Sequence, residues 1–486
     1  MDFSKAKKDG TFLKLFEFAI YVILVVLGFY VSFLIRFKGQ PATINIYPFY
    51  HNIPYIVIAS IFIFNITRIT STYKKSLFEN MVIIAISVLL IDIISIAVVF
   101  FNRGFAFPRS IFIIGYVIQC IMIFTFKNII LYFIKRNYKQ QKALIITPNE
   151  NSNLLTKDFL LYGINNGKVE SICEDVNQNT YRLIDKVDKV FVDCDIPNED
   201  KIELIQYCSI KNKMLYIIPS LFEIALMNSK IRNYGDAVLL RIEPLGLSFE
   251  QKIMKRIMDI FLSIIGLILA SPLFLIIALM IKLDDKGPVF YKQERITENN
   301  KIFKLYKFRT MKVDAEEETG PTLALKDDPR ITRVGKILRS TRLDELPQLV
   351  NVLKGEMSIV GPRPERPHFA EKFSEEIEDF KYRVLVKAGI TGLAQVLGKY
   401  TTSPENKAKF DLLYIKNYSL LLDIRIMLNT IKVFFEKESS MGVQEDELQD
   451  IKTKLIKEFN IKSYPKNVKD SEEKMSVPGF KFREGE

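Results

Sequence analysis

Apolar residues gather into five long runs separated by polar stretches. Four runs come early, at 15–35, 53–66, 81–101 and 111–134. Three approach the roughly 20 residues that carry a helix across a bilayer. The second is shorter and needs its flanking residues to complete a span. From 142 to about 248 the pattern changes. Short β-like runs at 143–147 (ALIIT), 189–192 (KVFV) and 215–218 (LYII) alternate with helical segments. That alternation predicts a Rossmann-like α/β module with a parallel sheet. The fifth run covers 259–281, with Ser271-Pro272 at its centre. A proline there removes the hydrogen bond to the Ile268 carbonyl. Positive charge on both flanks, from Lys252, Lys255 and Arg256 to Lys282 and Lys286, argues against a crossing. The run is therefore predicted to enter the membrane, break at Ser271-Pro272 and return. Residues 282–435 are polar with short elements, and 436–486 read as a charged tail, helical in part.

The predicted architecture is a membrane protein in four parts. Residues 1–140 form an α-helical four-span bundle, and 141–248 the Rossmann-like α/β module. Residues 249–435 form a re-entrant-helix α/β-type domain, and 436–486 the tail. Basic residues alternate between the loops of the four spans. Lys5, Lys7, Lys8 and Lys14 precede the first, Arg68, Lys74 and Lys75 follow the second, and Lys135, Arg136 and Lys139 follow the fourth. This pattern places both ends of the four-span unit in the cytoplasm. Asp92 lies within the third span, where a carboxylate serves either a function or the bundle interior.

The net charge of +12 changes the picture only in combination with the apolar runs. A basic membrane protein faces anionic lipid with its cytoplasmic side. No RNP-like aromatic motif or zinc spacing points to nucleic acid. The four cysteines, Cys120, Cys173, Cys194 and Cys208, form no CxxC pair and read as reduced thiols. Only two histidines occur, His51 and His368, which disfavours a His-based metal site or a Ser-His-Asp triad. Chemistry falls to carboxylates, lysines and arginines. The turn after the first strand of the α/β module, residues 148–153 (PNENSN), has no glycine, so no cofactor is expected there.

Residues 339–365 concentrate that chemistry. Arg339 and Arg342 precede an adjacent acid pair, Asp344-Glu345, and a Pro362-Arg363-Pro364 turn comes after it. A carboxylate that works on a phosphate needs cations beside it, because bare anions repel. Leu346, Leu349, Val350 and Leu353 have the spacing of a buried helical stripe. Pro347 is tolerable only in a first turn, so the helix should begin near Asp344 and stop at Gly355.

From Lys255 to about Phe435 the chain resembles the bacterial sugar transferases, the monotopic phosphoglycosyl transferases. The resemblance rests on Lys255-Arg256-Ile257-Met258-Asp259, Ser271-Pro272, Tyr306-Lys307-Phe308-Arg309-Thr310-Met311 and Asp328-Pro329-Arg330. It continues through Leu343-Asp344-Glu345-Leu346, Gly361-Pro362-Arg363-Pro364-Glu365 and Gly389-Ile390-Thr391-Gly392-Leu393-Ala394-Gln395. Two positions depart from the family's usual residues. Thr297 stands where glycine is frequent, and Ala388 where proline is frequent.

The resemblance implies transfer of a sugar 1-phosphate from a UDP-sugar to undecaprenyl phosphate, with release of UMP, at the bacterial inner membrane. This is the first membrane step of exopolysaccharide or capsule synthesis. Asp344 would be the nucleophile, and Glu345 would hold Mg²⁺ or Mn²⁺ with Asp344, or handle a proton. Arg339 and Arg363 would clamp phosphate, followed by Lys307, Arg309 and Arg342. Lys255, Arg256 and Asp259 would start the re-entrant helix. A non-catalytic membrane-anchored regulator of polysaccharide assembly is the alternative, and the intact Asp344, Glu345 and Arg363 argue against it. The sugar, the polymer and the oligomeric state, homo-oligomers included, stay open at this level.

Overall fold

The computed structural model describes residues 3–71, 77–102, 107–137, 141–147, 167–313, 328, 330–398, 402–434 and 462–464. These divide into two compact units, 1–218 with 445–486, and 219–444.

The first unit opens with four helices, α1 (Phe3–Arg36), α2 (Thr43–Thr67), α3 (Leu77–Phe101) and α4 (Ser110–Asn137). Each is long and apolar enough to cross a membrane. The short second run is completed by its flanks, as α2 reaches 25 residues through Pro48 and Pro54. The helices share one core, in which Tyr21, Phe29, Phe33, Phe49, Phe64, Ile84 and Val88 are almost fully buried. Their outer faces are also apolar, with Ile23, Ile58, Ile93 and Ile113 exposed. A helix apolar all round is at home in lipid. Asp92 on α3 faces the interior at 4% exposure, and both its oxygens lack a hydrogen-bond partner among the described residues.

The same unit contains a five-stranded, wholly parallel sheet. Its strands are β1 (Gln141–Ile146), β2 (Gly167–Cys173), β3 (Lys189–Val192), β4 (Met214–Ile217) and a C-terminal strand, Lys462–Tyr464. The order is C-terminal strand, β2, β1, β3, β4. Helices α5 (Gln178–Lys186) and α6 (Asn198–Ile210) connect strands. Three strands lie where the apolar runs predict them. β2 (GKVESIC) does not stand out in sequence because Lys168 and Glu170 interrupt its apolar run. The C-terminal strand corrects the reading of 436–486 as a tail alone, since part of it pairs with β2. The glycine-free turn at 148–153 lies outside the described residues.

In the second unit, residues 219–248 pack with elements C-terminal to them, which corrects their assignment to the α/β module. Helix α7 (Leu221–Leu226) and the hairpin of β5 (Lys230–Tyr234) and β6 (Ala237–Arg241) belong here. Asn228 donates to Asn417 Oδ1 at 2.7 Å, and Leu247 joins the core around Val360, Tyr414 and Ile426.

Helix α8 (Phe249–Asp285) is helical throughout its 37 residues, with Pro272 inside it, so the predicted interruption at Ser271-Pro272 is not a gap in the helix. The carbonyl that Pro272 cannot serve, Ile268 O, accepts Ser271 Oγ at 2.8 Å instead. A proline helix survives when a side chain re-satisfies the freed backbone group. Both ends of α8 are tied to this unit. Arg256 donates to the Val352 and Leu353 carbonyls at 2.6 and 2.7 Å, and Asp284 accepts Val334 N at 3.0 Å.

The rest of the unit is built of short elements. Strands β7 (Phe290–Ile296) and β8 (Ile302–Phe308) form an antiparallel pair. Then come α9 (Arg333–Ser340), a 3₁₀ turn (Leu343–Glu345), α10 (Gln348–Lys354) and β9 (Ser358–Val360). Helix α11 (Pro367–Glu376) and a 3₁₀ segment (Glu378–Leu385) lead to β10 (Gly389–Thr391), which is parallel to β9. Helices α12 (Leu393–Leu397), α13 (Pro404–Lys416) and α14 (Leu420–Phe434) complete it.

Candidate active site

The acid pair sits where three short elements meet. Strand alternation puts Lys307 on the same face of β8 as the buried Phe303 and Leu305, so its amine leaves the core edge toward the acids. Asn351, fully buried on α10, fixes that strand by accepting Tyr306 N at 3.0 Å and donating to Lys304 O at 2.8 Å. Helix α9 starts at Thr332, whose hydroxyl accepts Gly335 N at 2.9 Å. A Cβ on Gly335 would lie 2.1 Å from the Thr310 carbonyl oxygen, so only glycine allows this approach. The approach lets Arg339 Nε donate to Thr310 Oγ1 at 2.8 Å. The chain then turns at Arg342, in the left-handed region at φ 51°, and enters the 3₁₀ turn that carries Asp344 and Glu345. The α-helix itself begins three residues after Glu345, at Gln348, and ends at Gly355, which has φ 83°.

The two acids have opposite environments. Glu345 Oε1 lies 3.2 Å from Lys307 Nζ and 3.0 Å from Arg363 Nη2. Burial pushes its carboxyl up, but Lys307, Arg363 and Arg342 outweigh this and hold it well below the usual carboxylate range. Asp344 is 7% exposed, and among the described residues its closest cation is Lys307 Nζ at 4.0 Å. Among the described residues its carboxylate takes no hydrogen bond. Burial raises its pKa above the ordinary 3.8, Lys307 and Arg339 oppose that, and Glu345 adds to it. One carboxylate is thus clamped by two cations that favour its ionised form, while its neighbour is desolvated and unclamped. Pairs driven apart in this way take different chemical roles.

Arg363 reaches Glu345 because its backbone is fixed on both sides. Gly361 N donates to Thr391 O, and Gly389 N donates to Pro362 O, each at 2.8 Å. A Cβ on Gly389 would lie 2.1 Å from Gly361 N, so the β9–β10 contact needs glycine. Arg383 Nη2 donates to the Arg363 carbonyl at 3.1 Å, and Arg295 Nη1 to the Pro364 carbonyl at 3.0 Å. Burial and the neighbouring Arg363 bring Arg295 down to about 10.

Of the residues singled out in the sequence, Asp344, Glu345, Lys307, Arg339, Arg342 and Arg363 act on one electrostatic cluster. Arg309 stands apart. It is 6% exposed, donates to the Asp285 carbonyl at 2.7 Å and lies 3.4 Å from the Asp285 carboxylate. It therefore secures the C-terminal end of α8. Lys255, Arg256 and Asp259 secure the other end. Lys255 Nζ is 2.6 Å from Asp423 Oδ2, and Asp259 Oδ1 accepts Ser358 Oγ and Ile359 N at 3.0 Å. Sequence reasoning missed Arg383, Asp411, Asp423 and Asn351. Each partners a residue far along the chain, and no local spacing signals it.

Residues 250–437 match the profile of the bacterial sugar transferases. Galactosyl transferase CpsE of Streptococcus agalactiae serotype III is 30% identical over 369 residues, covering 68% of this chain and 81% of that protein. The chain belongs to the bacterial sugar transferase family. The UDP-N-acetylgalactosamine-undecaprenyl-phosphate N-acetylgalactosaminephosphotransferase of Aeromonas hydrophila is 46% identical over 181 residues, 37% of this chain and 43% of that one. The UDP-glucose:undecaprenyl-phosphate glucose-1-phosphate transferase of Klebsiella pneumoniae is 35% identical over 292 residues, 58% and 60% of the two chains. The matched segments thus cover less than two thirds of the length of these last two relatives.

In this bacterial sugar transferase the two departing positions touch each other. Ala388 N donates to Thr297 Oγ1 at 3.1 Å, and Thr297 Oγ1 donates to Glu356 O at 2.8 Å. Glycine at 297 would lack the hydroxyl and proline at 388 the N–H, so a Gly-Pro pair at these positions could not form this hydrogen bond.

Proposed function

We propose that the protein transfers a sugar 1-phosphate from a UDP-sugar to undecaprenyl phosphate, releasing UMP. The observation that carries this reading is the paired environment of Asp344 and Glu345. A buried carboxylate without a hydrogen bond, within the field of Lys307 and Arg339, suits a nucleophile directed at a phosphate. An Asp344 oxygen attacks the sugar-bearing phosphorus, and the bond from that phosphorus to the bridging oxygen breaks. UMP leaves with the bridging electron pair, and a phosphosugar remains on Asp344. An oxygen of the acceptor phosphate then attacks the same phosphorus, freeing Asp344 and forming the polyprenyl diphosphate sugar. Arg363 and Lys307 hold Glu345 and face the developing negative charge, and Arg339 balances Asp344.

The acid pair fits a divalent cation of the Mg²⁺ or Mn²⁺ type. Asp344 offers oxygens that take no hydrogen bond among the described residues, and one or two carboxylates with substrate phosphates make a usual shell. When bound, such an ion neutralises phosphate charge. The names of the relatives and the apolar helices support an undecaprenyl phosphate acceptor and a membrane setting. Both ends of α8 are tied to one polar unit, which supports both lying on the cytoplasmic face, where a UDP-sugar is found. The test is UMP release from a panel of UDP-sugars by the full-length protein with undecaprenyl phosphate. Release with one or more sugars is expected. No release with any of them, from a folded protein, would overturn the reading in favour of a binding-only regulator.

A further inference from the structure

Beside the Pro362-Arg363 turn lies a cavity of about 220 Å³. Its lining includes Arg363, Thr297, Asn300, Ser374, Phe380 and Arg383. Phe380 and Arg383 are buried, whereas Asn300 and Ser374 are exposed at its edge. We propose that this cavity holds the nucleoside of the donor, with its two phosphates lying between Arg363 and Asp344. The inference rests on the phosphoglycosyl transfer reading and gives that reaction a direction across the site.

Three observations lead there. The charged groups form a row, from Asp344 to Lys307 to Glu345 to Arg363, with contacts of 4.0, 3.2 and 3.0 Å. Arg363 also lines the cavity, so the cavity and the charged row meet at this residue. An attacking group and a leaving group lie on opposite sides of the reacting phosphorus. With Asp344 at one end, the leaving nucleotide belongs at the other. Second, the volume falls below the roughly 300–1,000 Å³ of sites for drug-sized ligands. It suits one nucleoside rather than a whole nucleotide sugar. Third, the walls mix an aromatic ring and small apolar side chains with hydroxyls, with Arg363, Lys381 and Arg383, and with the carboxylate of Glu365. Charged walls disfavour a prenyl tail. The Asn300 carboxamide offers donors and an acceptor. It therefore complements the O4 acceptor and N3–H donor of a uracil edge, while Phe380 supplies apolar surface.

The experiment uses full-length protein in detergent micelles, with UMP as the probe. UMP binding to the Asp344→Asn variant is measured by calorimetry, and UMP inhibition and donor KM are measured on the active protein. Ser374→Trp narrows the cavity mouth from an exposed position on α11. Asn300→Ala removes the carboxamide from a separate exposed turn, so misfolding of one variant leaves the other informative. Ser374→Trp is expected to raise both donor KM and the UMP inhibition constant at least tenfold. Asn300→Ala is expected to reduce the preference for UMP over CMP at least fivefold. UMP inhibition unchanged in both folded variants of an active enzyme overturns the cavity assignment and leaves the reaction standing. A higher donor KM with unchanged UMP inhibition places the sugar in the cavity, and also overturns the assignment. A wild-type protein that neither releases UMP from UDP-sugars nor binds it removes the functional reading and the cavity assignment together.

Discussion

Arg383 holds the backbone carbonyl of Arg363 at 3.1 Å while its Nε bonds Asp411 Oδ2 at 2.6 Å. Arg383 is 6% exposed and Asp411 1%, so the pair anchors the Pro362-Arg363-Pro364 turn from inside the fold. Arg383→Lys keeps the charge but loses the forked geometry that serves two acceptors at once. It should raise donor KM at least fivefold with a smaller effect on kcat. Arg383→Met leaves Asp411 buried and unpaired, and should cost about 3–5 kcal/mol of stability. An unchanged donor KM in Arg383→Lys would detach this residue from Arg363.

Asp344→Asn should abolish UMP release without lowering the melting temperature. Burial raises the Asp344 pKa above 3.8, so the folded state holds this proton more tightly than the unfolded chain does. The ionised carboxylate therefore reduces stability as pH rises through and beyond the ordinary carboxylate range. A neutral amide escapes that loss. Substantial turnover by the Asn variant, with deamidation excluded by mass spectrometry, would reject Asp344 as nucleophile.

The acid limb of kcat/KM should report Asp344. Its midpoint should lie above 3.8, because the attacking form is the carboxylate and burial disfavours it. Lys307 favours the ionised form, so Lys307→Met should shift the midpoint to higher pH. A shift to lower pH, or none, would mean that another group controls the limb.

Lys255→Met should destabilise the second unit by about 3–5 kcal/mol, because it leaves Asp423 without its cation in the interior. Asp423 is 0% exposed, and its Oδ1 lies 2.8 Å from the Tyr414 hydroxyl. Thermal unfolding in detergent measures the effect. A melting temperature equal to the wild type would show that Tyr414 alone satisfies Asp423.

Topology can be read by labelling. Single cysteines at Lys292 and Asn406, in a background where the four native cysteines are replaced, should resist an impermeant thiol reagent in sealed right-side-out vesicles. Both should react once the vesicles are opened. Reaction in sealed vesicles would place the acid pair away from UDP-sugars, and the proposed chemistry would fail with it.

The most legible parts of the chain are those where one local pattern serves one purpose. The apolar runs mark four helices of the first unit, and KVFV and LYII mark strands of the parallel sheet. Asp344-Glu345, directly after Arg339 and Arg342, marks the candidate site, since acids and cations this close in sequence stay close in space. The α8 segment is half legible. Its apolar character is plain, but the proline predicts a break, and Ser271 keeps the helix whole by bonding the Ile268 carbonyl.

Local order along the chain dictates the apolar helices, the acid pair and its cationic flanks, because helix periodicity and neighbouring charge depend only on short separations. Folding in three dimensions selects which cations serve the acids. Lys307 reaches Glu345 from 38 positions away, while Arg309, two residues further on, is drawn to the end of α8. It also makes residues 462–464 complete a sheet begun at residue 141. Long-range pairing rests on desolvation and packing geometry, and neither leaves a periodic trace along the chain.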